Sequence, residues 1–148
     1  MELATILLAE DDPNDVFFMR RCFEKARVLN PLQVVGDGEQ VVEYLLGQGP
    51  YADRTRHSFP LLLLLDLRMP RKNGFEVLEW LRQQPGLKRL RTVVLTSSHD
   101  GPDINRAYDL GANSYLGKPP GTEALMEMFD RLNSYWMVLN QPPNCQPP

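Results

Sequence analysis

The chain has 148 residues and 43% apolar composition, enough for one domain with a buried core. Its net charge is -3, and Lys and Arg are scattered, so it carries no footprint for nucleic acid or an anionic membrane. The longest apolar run, Leu61 to Leu65, is far short of the ~20 residues that span a bilayer, and "LATILLA" near the start has no basic leader or cleavage site, which predicts a cytoplasmic protein.

In chain order, "ATILLA" (4–9) predicts a buried strand. Asp12 then reads as a helix cap, with Pro13 at the first helical position and Asp15 in the first turn. The helix that follows spaces Val16, Met19, Phe23 and Ala26 as one apolar stripe, widened by Phe17, Phe18 and Cys22. "LQVVG" (32–36) predicts a second strand, "EQVVEYLLG" a short helix, and "GQGPYADRTRHSF" (47–59) an irregular polar insert before the "LLLLL" strand (61–65). "FEVLEWLRQQ" predicts a helix, "TVVLT" (92–96) a strand, "DINRAYDLG" a helix and "SYLG" (114–117) a strand. A last helix is expected from Thr122 to Leu139. Residues 1–140 then form the domain, and the Pro-rich tail 141–148 is expected to be disordered. Cys22 and Cys145 lack metal-ligand spacing and predict reduced thiols, Cys22 in or near the core.

Five strand-then-helix units with strands apolar on both faces predict an α/β fold: a five-stranded, doubly wound parallel sheet covered by helices on both sides. In such sheets ligands bind beyond the carboxyl ends of the strands. The residues there are Glu10 to Asp12 after strand one, Asp66 after strand three, Thr96 and "TSS" at the end of strand four, and Lys118 after strand five. Carboxylates brought together repel unless a hard divalent cation sits among them, and magnesium suits an all-oxygen set. An aspartate in that setting can attack a phosphoryl group, with Lys118 as a second cation and Thr96 as a hydroxyl donor.

These segments together resemble the receiver domain of two-component response regulators over nearly the whole chain. "ILLAEDD" is similar to the acidic strand-one motif, which would make Glu10 and Asp11 the metal-pocket acids. "LLLLDLRMPRKNG" resembles the phosphoacceptor motif, with Asp66 as acceptor and the Arg68 carbonyl as a metal ligand. "VVLTSS" and "GANSYLGKP" resemble the segments carrying the switch hydroxyl (Thr96), the switch aromatic (Tyr115) and the family lysine (Lys118). The resemblance implies a flavodoxin-like strand order 2-1-3-4-5, a cis bond between Lys118 and Pro119, a bound Mg2+, and self-catalysed phosphoryl transfer and autodephosphorylation rather than an enzyme's turnover.

Only the last helix and a short tail follow the receiver segments, so a stand-alone receiver is expected. The insert before strand three, "GLKRLRTVVLTSS" and the aromatic "SYW" look most similar to the single-domain regulators paired with bacterial phytochromes. By that likeness the partners would be a sensor histidine kinase of the phytochrome type, a downstream protein or histidine phosphotransfer protein, and a second copy of the chain. The second copy would dock through the face containing the last helix, whose stripe Leu125, Met128, Phe129, Leu132, Tyr135, Trp136 and Leu139 runs to the helix end. The blander alternative is that this stripe only covers the protein's own sheet.

Blander readings compete. Taken singly, Thr96 is an ordinary strand residue, Lys118 an exposed cation, and Asp12 and Asp15 a solvated helix start. Tyr115 is as much a packing residue as a switch, and His57 and His99 are too scattered for a metal site. A phosphatase using an aspartyl nucleophile needs a second acid two residues on, where Arg68 stands. A flavin carrier needs a phosphate loop after strand one, where "EDDPND" would repel the phosphate. A pseudo-receiver that only binds protein is disfavoured because every reactive position is filled.

Overall fold

The computed structural model describes residues 3–147. Strands β1 (Ile6–Ala9), β2 (Leu32–Val35), β3 (Leu62–Leu65), β4 (Arg91–Thr96) and β5 (Ser114–Gly117) alternate with helices α1 (Pro13–Lys25), α2 (Gly38–Leu46), α3 (Gly74–Gln83), α4 (Gly101–Asp109) and α5 (Thr122–Leu132). All strand pairs are parallel, in the order β2-β1-β3-β4-β5. Ile6 sits opposite Leu32 on one side and Leu62 on the other, and Thr96 opposite Gly117.

Side chains alternate across a strand, so each strand feeds two cores. Leu7, Ala9, Leu63, Leu65 and Val94 pack with α2, α3 and Ala107 of α4, whereas Ile6, Leu8, Leu62, Leu64, Val93 and Leu95 pack with α1 and α5. The central strands β1 and β3 are buried throughout, and β4 from its second residue on. The edge strands differ from the expectation: β5 is half-buried along its length and β2 is buried only at Val35. Each edge strand has one neighbour, so helices cover its two faces less completely. A fully buried leucine contributes roughly 1.5–3 kcal/mol, and the run of them in β3 anchors the strand that ends at Asp66.

Local chemistry sets the helix ends. Asp12 Oδ1 accepts from Asn14 N–H at 2.9 Å with Pro13 next in line, and Asn73 and Glu76 form a reciprocal capping box at the start of α3. Helix α1 buries Met19, Cys22 and Phe23, with Phe23 stacked on Phe129 of α5 at 4.4 Å. Phe17 lies outside the stripe, exposed under the Arg21 guanidinium. Past Leu132 the last helix continues with a wider π-type period over Asn133–Leu139, ending with Asn140 N–H donating to Tyr135 O.

The insert holds a short 3-10 turn (Gly49–Tyr51). It is tied down by Arg54, which donates to Leu45 O at 2.8 Å and His57 O at 3.0 Å, and by Tyr51 and His57 packing on Tyr44. The tail 141–147 has no helix or strand, yet it lies against the body: Gln146 N–H donates to Gly86 O at 2.9 Å and Cys145 packs on the core. The described residues contain no cis peptide bond, so the cis Lys118–Pro119 bond implied by the family resemblance is corrected to trans. Trans is the intrinsically favoured form even before proline, by about 0.5–1 kcal/mol. No described helix is long and apolar enough to cross a membrane.

Candidate functional site

The ladder places the first residue after β1 and after β3 side by side: Glu10 N–H donates to Val35 O and Asp66 N–H to Ala9 O. Glu10 and Asp66 are therefore fixed by the central strands and buried, at 2% and 7% exposure, while Asp11 stands exposed at the rim. Glu10, Asp11 and Asp66 each present a carboxylate oxygen within 4.8 Å of the others.

Lys118 enters from β5, where its N–H donates to Thr96 O at 2.8 Å. Its Nζ bonds to Glu10 Oε1 and reaches Asp66 Oδ2 at 3.2 Å and Asp15 Oδ2 at 3.3 Å. Burial raises the Glu10 carboxyl to about 7, an effect that the Lys118 ammonium only partly offsets. Burial works against the Lys118 charge, but the hydrogen bond to Glu10 and the Asp66 carboxylate outweigh it and hold the amine above its ordinary value. One ammonium among four carboxyl groups leaves room for a further cation, and an all-oxygen donor set fits a hard divalent ion.

The remaining expected residues ring this centre. Arg68 turns its side chain to solvent, but its backbone N–H donates to Asp66 Oδ1 at 3.2 Å. Thr96 is 1% exposed, and its Oγ1 accepts from Ser98 N–H at 3.4 Å. Tyr115 is half-buried; its hydroxyl donates to Ser98 O at 2.9 Å and its N–H to the Tyr108 hydroxyl at 3.2 Å. The loop after β4 is thus pinned to β5, and Ser98 Oγ extends the network to Asp103 Oδ2 at 2.8 Å. His99 lies over Gly117, beside Lys118, and makes none of these bonds.

Sequence reasoning assigned Asp12 to the helix start, and it is the cap. It gave Asp15 the same bland role, yet Asp15 reaches Lys118. The signal was its place in the first turn of a helix whose amino end abuts the acids. Ser98 was likewise only part of a strand-end motif, although it links Thr96 to Tyr115.

Residues 6–130 match the family model described as the response regulator receiver domain. The response regulator Rcp1 of Synechocystis sp. is 36% identical over 132 residues, covering 89% of this chain and 88% of the relative. The crystal structure of response regulator RPA3017, from red light signaling in R. palustris, superposes with a TM-score of 0.91 at 35% identity, covering 96% of this chain and 99% of that one. The phosphorylated cyanobacterial phytochrome response regulator RcpA gives a TM-score of 0.86 at 32% identity, with 96% and 99% covered. The Mn2+-bound form of Rcp1 gives 0.82 at 34% identity, with 95% and 99% covered. Strand order, the acidic cluster with its lysine and the match over most of the chain agree, and the chain belongs to the response regulator receiver domain family, whose members signal as phosphoacceptors.

Proposed function

We propose that Asp66 accepts a phosphoryl group from a sensor histidine kinase, and that the new charge is relayed through Thr96, Lys118 and Tyr115 into altered protein contacts. The observation that carries this reading is the Lys118 ammonium held between the buried carboxylates of Glu10 and Asp66, with Asp11 at the rim. Glu10, Asp11, Asp66 and the Arg68 carbonyl would hold Mg2+. The donor set fits it, and the relative Rcp1 was crystallised with Mn2+. Bound there, the ion supplies positive charge against the phosphoryl oxygens.

The chain's own residues do the rest. An Asp66 carboxylate oxygen forms the new O–P bond as the P–N bond of the donor phosphohistidine breaks, and because that ring carries a proton on its other nitrogen it leaves as neutral imidazole. Lys118, already 3.2 Å from Asp66 Oδ2, needs little movement to pair with the phosphoryl oxygens, and Thr96 lies one strand over with a hydroxyl to donate. In the family's manner, a shift of Thr96 frees space for Tyr115. Here that would break the Tyr115 bond to Ser98 O and release the loop after β4. The chain would act as a phosphoacceptor with self-catalysed transfer and autodephosphorylation, not as a turnover enzyme.

Relatives from phytochrome and red-light systems support a phytochrome-type kinase as donor. A cytoplasmic setting and a downstream protein or histidine phosphotransfer protein as recipient complete the proposal. A groove of about 660 Å³ between β5 and α5, lined by Leu116, Met128, Leu132, Tyr135 and Trp136, supports a second copy as a further partner. Its lining carries Glu127 and Arg131, which pair with each other at 2.6 Å on the exposed face of α5 and could exchange partners with the same pair of a symmetric copy.

Phosphotransfer tests the reading. Incubation with a phosphorylated phytochrome-type kinase and magnesium should move the label to this chain within minutes, and EDTA should stop it. A wild type that takes label neither from such kinases nor from acetyl phosphate would contradict it.

A further inference from the structure

The β3–α3 loop, residues 67–73, carries the backbone that faces Asp66, and it is fastened in an uncommon way. Leu67 and Met69 point into the core. Arg71 adopts φ +64, a left-handed conformation uncommon for a residue other than glycine. Its Nε donates to Asp37 Oδ2 at 2.7 Å. Asp37 sits in the β2–α2 turn at 2% exposure, and its other oxygen caps α2 by accepting from Gln40 N–H at 2.8 Å. Beside this pair, Gly38 N–H donates to Lys72 O at 2.9 Å, an approach so close that a Cβ at Gly38 would stand 2.1 Å from that oxygen.

We infer that Asp37 and Arg71 are positioning residues for phosphoryl transfer at Asp66, clamping the β3–α3 loop to the start of α2 so that the Arg68 backbone is held against the acceptor carboxylate. This rests on Asp66 being the acceptor, as proposed above. Most exposed ion pairs do little, but one partner here is buried. Without Arg71, Asp37 Oδ2 loses the only hydrogen-bond partner found for it among the described residues. The charge balance agrees: burial opposes ionisation of Asp37, but the Gln40 N–H and the Arg71 guanidinium outweigh it and hold the carboxyl below its ordinary value. The same carboxylate thus joins a helix start to the loop of the site, and the loop's left-handed turn exists where the guanidinium can reach it.

The pair separates a positioning role from a merely stabilising one. Asn caps helices as well as Asp, so Asp37→Asn keeps the start of α2 and removes the charge facing Arg71. Arg71→Gly removes the guanidinium while relaxing the left-handed backbone, which offsets part of the cost of leaving Asp37 Oδ2 unpaired, so its thermal midpoint should fall only modestly and the chain stay folded at the assay temperature. Labelling by acetyl phosphate in magnesium should slow by about tenfold in each, because small misplacements at a reacting centre are costly. The double variant should be no slower than the slower single one, and Arg71→Lys should recover part of the rate. Amide hydrogen exchange across residues 67–73, measured without metal, should speed up in both single variants. Unchanged labelling and unchanged exchange in Arg71→Gly, with wild type labelled normally, would overturn the clamp and leave the acceptor reading intact. A wild type that is never labelled would overturn both. If Asp37→Asn fails to fold, Arg71→Gly and Arg71→Lys decide the matter.

Discussion

Neighbouring acids in "EDDPND" do different work because a one-residue step at the end of a strand turns a side chain to another side. Glu10 continues the β1 ladder and is buried. Asp11 joins it and Asp66 at the rim, while Asp12 turns away to cap α1 on Asn14. Removing Asp11 takes away a donor oxygen from the proposed magnesium site, so Asp11→Ala should weaken magnesium binding by an order of magnitude or more, roughly tenfold to 100-fold. Asp12→Ala should instead cost about 0.5–2 kcal/mol of stability as a lost cap and leave affinity nearly unchanged. Titration calorimetry on the two variants reads this directly. Equal losses of affinity would reverse the two assignments.

At the scale of elements, the strands were legible because burial leaves little choice of residue: runs such as Leu62 to Leu65 admit no other reading between two helix layers. The gathering of the candidate site residues was legible because they stand at strand ends, where topology brings them together. What escaped was set by partners distant in sequence. Asp15 looks like any first-turn acid until Lys118, from the other end of the chain, reaches it. Arg71 looks like a loop cation until Asp37 meets it, and the half-buried state of β2 and β5 follows from edge positions that no single strand reveals. The tail is a similar case. Its composition promises no packing, yet Gln146 and Cys145 lie on the amino-terminal side of the sheet against the turn containing Gly86. A Cβ at Gly86 would stand 2.0 Å from Gln146 O, so Gly86→Ala should dislodge the tail. Cys145 should then react faster with a thiol reagent while buried Cys22 stays protected. Unchanged Cys145 reactivity would mean that the tail is not held at this turn.

Across the whole molecule the acidic site and the aromatic end of the last helix lie at separate places on the domain, and β5 touches both: Lys118 follows it and Leu116 lines the groove. Tyr135, Val138 and Leu139 are exposed there, and Trp136 stands edge-on to Tyr135 at 4.9 Å. Exposed apolar side chains gathered at one helix end suit the second-copy contact proposed above. Sedimentation over a concentration series should show wild type self-associating and Trp136→Ala weakened by at least about tenfold, as for an aromatic anchor at an interface. A wild-type monomer at every concentration, phosphorylated or not, would leave the patch to another partner. The signalling proposed above would rest on one covalent event at the end of β3. Intact-mass measurement after acetyl phosphate and magnesium should therefore show wild type gaining one phosphoryl group that hydroxylamine removes, and Asp66→Asn gaining none. The same adduct on Asp66→Asn at undiminished yield would place the acceptor elsewhere and contradict the reading.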